Sequence, residues 1–309
     1  MRICIATLDG AFDTGLAALL DTFELANGLG DHPFDLTLAS PSRRLRTHHG
    51  FTADTAPLPA RAPDLTIVPA LACKTPETIV AALGRDDVAA LAEALVRFGK
   101  RGRIAAACTG VFVLGHAGLL DGRRATTSWW LGPILRRTFP RIDVAEDELI
   151  VADGNTLTAG AALAHVDLAL AIIRERSPDL AALVGRYLLL DTRVAQAPFV
   201  APSQLAHDDE LVTKFERWVR RNLREPFDLA RAARAIGASQ RTLQRRLRAV
   251  LGKPPIQFVQ DLRVERAVQL LRNSRHSIDA IAPLVGYEDG ATLRALLRKK
   301  LHSGVRELR

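Results

Sequence analysis

One pattern occurs twice in the last third of this 309-residue chain, about 50 residues apart, and few folds can hold it. In the first copy Asp228 stands at an N-cap position ahead of Leu229, Ala232, Ala233 and Ile236, which share one helical face. Gly237 ends that helix, and Ser239 caps the next. In the second copy Ser277 caps Ile278 to Val285, Gly286 supplies the turn, and a helix runs from Gly290 to Leu301. Ile236-Gly237 therefore matches Val285-Gly286, and Leu243 and Leu247 match Leu293 and Leu297. Two short helices joined at a glycine form a helix-turn-helix, so the spacing predicts one over about 228–251 and another over about 277–301. Between them Phe258, Val259, Leu262, Ala267, Leu270 and Leu271 predict a connecting helix over about 256–272. Pro283 falls inside the first helix of the second copy, where it is expected to bend or shorten that helix.

The second helix of the first copy has two faces. Leu243, Leu247, Val250 and Leu251 point to a core, whereas Arg241, Gln244, Arg245 and Arg248 gather opposite. Arginine can hold both acceptors of a guanine edge and glutamine can pair with adenine, so this face suits a major groove. A solvated basic helix is the competing reading. Charge distribution bears on the choice. Residues 208–309 hold 22 Lys and Arg against 12 Asp and Glu, a balance of +10, while residues 1–207 stand at −2. Basicity confined to one region is the footprint of a polyanion partner.

Residues 208–309 resemble the DNA-binding domain of AraC/XylS-type regulators. The likeness rests on 239–245, on Leu251-Gly252-Lys253-Pro254-Pro255 with Phe258, on 262–267, and on Val285-Gly286-Tyr287-Glu288-Asp289. It implies that both second helices enter successive major grooves of double-stranded DNA. Arg241, Gln244 and Arg245 are then expected to meet bases, and Ser239, Gln240 and Arg248 to meet phosphate. In the second copy only Thr292 and Arg294 suit base edges, with Arg298, Lys299 and Lys300 on the backbone; it should add affinity more than sequence reading. At the C-terminus His302, Val305 and Leu308 stand where the family usually has Gly, Pro and Tyr.

Residues 1–190 alternate strand and helix. Ile3–Leu8, Asp35–Ala39, Leu65–Pro69 and Ile104–Ala107 read as strands, and Gly15–Asn27, Val88–Lys100 and a segment from Gly110 to about Ala117 as helices. This predicts a mainly parallel α/β sandwich. Cys108 lies at the turn between a buried strand and a helix N-terminus, whose backbone N–H groups favour a thiolate or an anion; a structural cysteine at a tight turn is the alternative.

Ala107-Cys108-Thr109-Gly110, followed by Thr126-Thr127-Ser128-Trp129, by Pro69 ending the Leu65 strand and by Thr158-Ala159-Gly160, resembles the flavodoxin-like ThiJ/PfpI superfamily with its glutamine-amidotransferase-like fold. Enzymes of that superfamily support the cysteine with an acidic residue of the first helix and commonly a histidine after the Thr-Thr pair. Here Gly15 takes the acidic place, with Asp13 nearby, and Ser128 the histidine place. A hydroxyl is a poor general base near neutral pH, so catalysis is not expected. Cys108, Thr109, Gly110, Ser128 and Cys73 are instead the candidate ligand-binding residues. His48-His49 reads as a solvated turn, His116 and His165 as surface or satisfied helix residues, and Cys4 as core. No cofactor or metal site is expected.

The two likenesses together are those of GlxA-type regulators. They imply a sensing and dimerisation domain over 1–190, a linker over 191–207 and a DNA-binding domain over 208–309. The expected partners are DNA, a small-molecule effector, a second copy of the chain through the first domain, and RNA polymerase. Three cysteines without paired spacing suggest a reducing cytoplasm, and the uncharged run Ile104–Leu120 is too short and polar to span a bilayer. The competing readings are a Cys-dependent amidase or hydratase carrying a DNA-binding tail, and a ligand-free dimerisation module.

Overall fold

A computed structural model describes residues 1–190, 209–274, 276–301 and 305. The chain divides into two compact units, Met1–Gln196 and Ala197–Arg309. The expected linker, and His302 and Leu308 at the C-terminus, lie outside the described residues.

In the first unit β1 (Arg2–Ala6) precedes α1 (Asp13–Leu29), β2 (Asp35–Ala39), the hairpin β3 (Arg44–Arg46) and β4 (Thr52–Asp54), and β5 (Leu65–Val68). There follow α2 (Pro76–Leu83), α3 (Asp86–Gly99), β6 (Arg103–Ala107), α4 (Gly110–His116), β7 (Arg124–Ala125), α5 (Gly132–Thr138) and β8 (Asp143–Val144). The unit continues with β9 (Ile150–Asp153), β10 (Thr156–Ala159), α6 (Ala164–Arg176) and α7 (Pro178–Tyr187). One six-stranded sheet has the order β2-β1-β5-β6-β10-β9; its pairings are parallel except for the antiparallel β10–β9.

Alternation along each strand sends side chains to opposite faces. Ile3, Ile5, Leu65, Ile67, Ala105 and Ala107 pack under α1, α6 and α7. Cys4, Ala6, Val68, Ile104 and Ala106 pack under α2 to α5. Burial on both faces is why the central strands read as continuous apolar runs, and why their boundaries fell within two residues of expectation. The edge hairpin β3–β4, with its short strands, went unforeseen.

The second unit is helical: α8 (Glu210–Arg221), α9 (Leu229–Ala235), α10 (Gln240–Leu251), α11 (Pro255–Asn273), α12 (Ile278–Ile281), a 3-10 turn (Ala282–Val285) and α13 (Gly290–Leu301). Asp228 accepts hydrogen bonds from Ala230 N and Arg231 N, Ser239 from Thr242 N, and Ser277 from Ala280 N. Gly237 and Gly286 both adopt left-handed backbone, at φ 73° and 82°. Pro283 acts as expected: the α-helix stops after four residues and tightens into the 3-10 turn, which keeps its proline in the first turn where no N–H is needed. In this unit sequence reading missed α8, whose Val212, Phe215 and Val219 fill the core of the first helix-turn-helix; in the first unit it missed α2, α5 and α7.

Candidate DNA-reading helices and candidate ligand site

On α10 the buried stripe is Leu243, Leu247 and Leu251, with Val250 partly buried against the same core. Gln240, Arg241, Gln244, Arg245 and Arg248 are exposed, and none forms an ion pair or side-chain hydrogen bond with another described residue. Arg246, on the same helix, is committed elsewhere: it lies 2.6 Å from the buried carboxylate of Asp209, which also caps α8 through Leu211 N and Val212 N. The free cations and the glutamine therefore collect on one solvent face. Ser239 accepts the cap hydrogen bond from Thr242 N through its hydroxyl oxygen, which lies 2.9 Å from Thr242 Oγ1.

The second reading helix differs. Thr292 is tied to Asp289, which accepts from its N–H at 2.7 Å and its hydroxyl at 3.0 Å. Arg294 pairs with Asp279 at 2.9 Å. Lys300 pairs with Asp261 at 2.6 Å, leaving Arg298 and Lys299 exposed. The two side chains best equipped for base edges are thus both engaged within the protein.

In the first unit Cys108 sits at φ 53° between β6 and α4 and is 7% exposed. Its N–H donates to Ala159 O at 2.9 Å, its carbonyl accepts from the Thr127 hydroxyl at 2.8 Å, and its Sγ accepts from Ser128 Oγ at 2.9 Å. Burial pushes the Cys108 thiol up, although hydrogen bonds from Ser128 and Thr109 pull the other way. Thr109 donates to Leu71 O, which brings the loop of Cys73 to the elbow. Cys73 is half-buried, and burial raises its thiol too. At Gly110 a Cβ would collide with the carbonyls of Val68 and Pro69, so only glycine lets the helix start this close to β5. Cys108, Thr109, Ser128 and Cys73 are therefore neighbours, as the sequence suggested.

Both carboxylate questions are answered by packing. Asp13 accepts from the Thr47 hydroxyl and from the backbone and Nδ1 of His49, at 3.3 and 2.8 Å. Partial desolvation opposes ionisation there, but those hydrogen bonds win and lower its pKa to about 2. It is a clamp for the β3–β4 hairpin, so His49 is held against a carboxylate while His48 stays in an exposed turn. Gly15 faces the imidazole of His165: a Cβ at 15 would lie 2.6 Å from its Cε1. His165 is fully buried, with Nδ1 2.8 Å from Ala162 O and Nε2 accepting from Ala70 N at 3.1 Å. Desolvation lowers its pKa to about 4, so the ring is neutral. His165 was read from sequence only as a satisfied or surface residue; its role as the ring that fills the space beside Gly15 had no local signal.

Residues 82–175 match the DJ-1/PfpI family and residues 232–309 a helix-turn-helix domain. The chain joins a DJ-1/PfpI-family domain to an AraC-type helix-turn-helix domain. It is 31% identical over 218 residues to the HTH-type transcriptional regulator GlxA of Rhizobium meliloti, covering 66% of this chain and 64% of that protein. A shorter match, 43% over 72 residues, is to isonitrile hydratase of Pseudomonas putida, with 23% of this chain and 30% of the enzyme covered. The crystal structure of an AraC family transcriptional regulator from Pseudomonas putida superposes at TM-score 0.52 with 21% identity, over 60% of this chain and 98% of that one. At that identity the shared property is the fold. The chain spans about half to two thirds of the length of the curated regulators it matches. Among the described residues no helix is long and apolar enough to cross a membrane.

Proposed function

We propose that the chain is a sequence-specific, DNA-binding transcription regulator whose DJ-1/PfpI-family domain senses a small molecule without turning it over. The observation that carries this reading is the face of α10 that is unpaired among the described residues, where Arg241, Gln244, Arg245 and Arg248 are exposed while Arg246 is held by Asp209. The resemblance to GlxA supports the regulatory role. Cys108, Thr109, Gly110, Ser128 and Cys73 would line the sensing site, dimerisation would use the same domain, and the setting would be the cytoplasm, with RNA polymerase as a further partner. The domain limits in this reading are 1–190, 191–207 and 208–309.

In the test, the full chain is titrated with duplex DNA across a salt series. The affinity should fall steeply, by orders of magnitude between about 50 and 200 mM, because the excess of cations releases condensed counterions. Arg245→Ala should cost about 1–3 kcal/mol on the preferred site and little on random duplex. No detectable binding would refute the DNA-binding reading, binding that stayed flat with salt would refute its phosphate-driven mode, and an equal loss on both duplexes would make Arg245 a phosphate contact.

The retained elbow and the match to isonitrile hydratase favour a second reading, an enzyme fused to a DNA-binding tail. Against it stand a thiol raised by burial, a hydroxyl as its side-chain partner, and a first helix whose Gly15 brings no carboxylate. Turnover of isonitriles, amides or aldehydes by the wild type would decide for the enzyme.

A further inference from the structure

The connecting helix α11 belongs to two cores. Its first half gives Phe258, Val259 and Leu262 to the first reader, and its second half gives Val264, Ala267, Val268 and Leu271 to the second. Where the halves meet, Arg263 turns into the junction and is 8% exposed. Its Nη2 donates to the carbonyl of Glu225 at 2.7 Å, in the connection that leads into the first reader. Its guanidinium carbon lies 5.2 Å from the ring centroid of Tyr287, the residue after the turn of the second reader. That turn is pressed onto the first half: a Cβ at Gly286 would collide with the carbonyl of Leu223 and lie 2.7 Å from Arg263 Nη2. Two residues earlier, Asp261 accepts from Lys253, just past α10, at 3.4 Å and from Lys300, near the end of α13, at 2.6 Å.

Arg263 is a poor source of stability. Among the described residues no carboxylate pairs with it, and its buried Nε has no hydrogen-bond partner. Its hydrogen bond to Glu225 O offsets only part of the cost of burying a cation. What a planar guanidinium adds is direction, since one plane must satisfy a carbonyl from the first reader and a ring face from the second.

We propose that Arg263 and Tyr287, backed by the Lys253–Asp261–Lys300 bridge, form a joint that fixes the offset between the two reading helices. The second helix, with Thr292 and Arg294 each paired to a neighbouring surface carboxylate, is then set on the DNA backbone by the first rather than by bases of its own. This rests on the DNA-binding reading above, and Arg263 and Tyr287 are positioning residues within it.

The probe is a duplex selected from a random-sequence pool by the full-length wild type, mapped by hydroxyl-radical footprinting with wild type, Arg263→Met and Tyr287→Leu. Wild type should protect two sharp patches about one helical turn, roughly 10 base pairs, apart. In each variant the first patch should persist, while protection of the second falls by at least half and spreads over several nucleotides. Thermal unfolding run alongside shows which variants are folded, and either one suffices for the comparison. A second patch as sharp as wild type in a folded variant overturns the joint, as does a single patch in wild type. If wild type selects no sequence at all, it is the DNA-binding reading that fails.

Discussion

The left-handed backbone at Cys108 costs a non-glycine residue about 1–2 kcal/mol, and such strain survives only where the surroundings hold it in place. Here Ala159, Thr127 and Ser128 anchor its N–H, carbonyl and sulfur in turn. Burial raises the thiol's pKa and its side-chain partner is the Ser128 hydroxyl, which supports the proposed sensing role. Cys108→Ser should therefore leave DNA affinity in the absence of effector unchanged. It should alter only the shift in affinity caused by a metabolite that raises the wild type's melting temperature. Equal loss of DNA binding with and without that metabolite would remove Cys108 from the sensing site. In the same unit, Gly15 and His165 fit as a small and a large residue sharing one volume, although they stand far apart in the chain. Sequence reading noticed the missing acid at 15 but had no means of seeing the ring that fills its place.

At the scale of elements, the two reading helices look alike in pattern and differ in commitment. The caps, glycine turns and leucine stripes were legible because each is a signal within a few residues of the backbone it governs. Ser239 is the clearest instance, accepting from Thr242 N at 3.1 Å. Ser239→Ala should cost the second unit about 1 kcal/mol, with Ser239→Asp restoring most of it. Urea unfolding followed by helical circular dichroism measures this, and an unchanged midpoint for Ser239→Ala would mean that the cap carries no stability. The pairings of Arg246 with Asp209, Arg294 with Asp279 and Lys300 with Asp261 were not legible, because each joins different elements. They decide which cations on α10 and α13 stay unpaired among the described residues, and a count of charges along either helix does not.

For the molecule as a whole, acid should weaken the first unit in a definable window. The folded His165 imidazole stays neutral down to about pH 4, while in the unfolded chain it protonates near its ordinary 6.5. Between those values the unfolded state binds more protons, so stability is complete above pH 6.5, declines as pH falls and levels off near 4. The loss is on the order of 3 kcal/mol. Asp13, held at about 2, adds a further loss only below about pH 4. Urea midpoints taken from pH 7 to 4 should fall in the wild type and much less in His165→Gln, which keeps an acceptor for Ala70 N; parallel slopes would mean that His165 is not the titrating group. By itself the sequence determined the duplicated helix-turn-helix, the alternating α/β class of the first 190 residues with its central strands, and the confinement of positive charge to the last hundred, because periodicity, capping and composition act locally or by summation. Only the tertiary structure decided that Asp13 clamps a hairpin, that His165 fills the place beside Gly15, and that Arg263 lies between two readers. Those outcomes depend on which distant surfaces pack together, and no window of neighbouring residues carries that information.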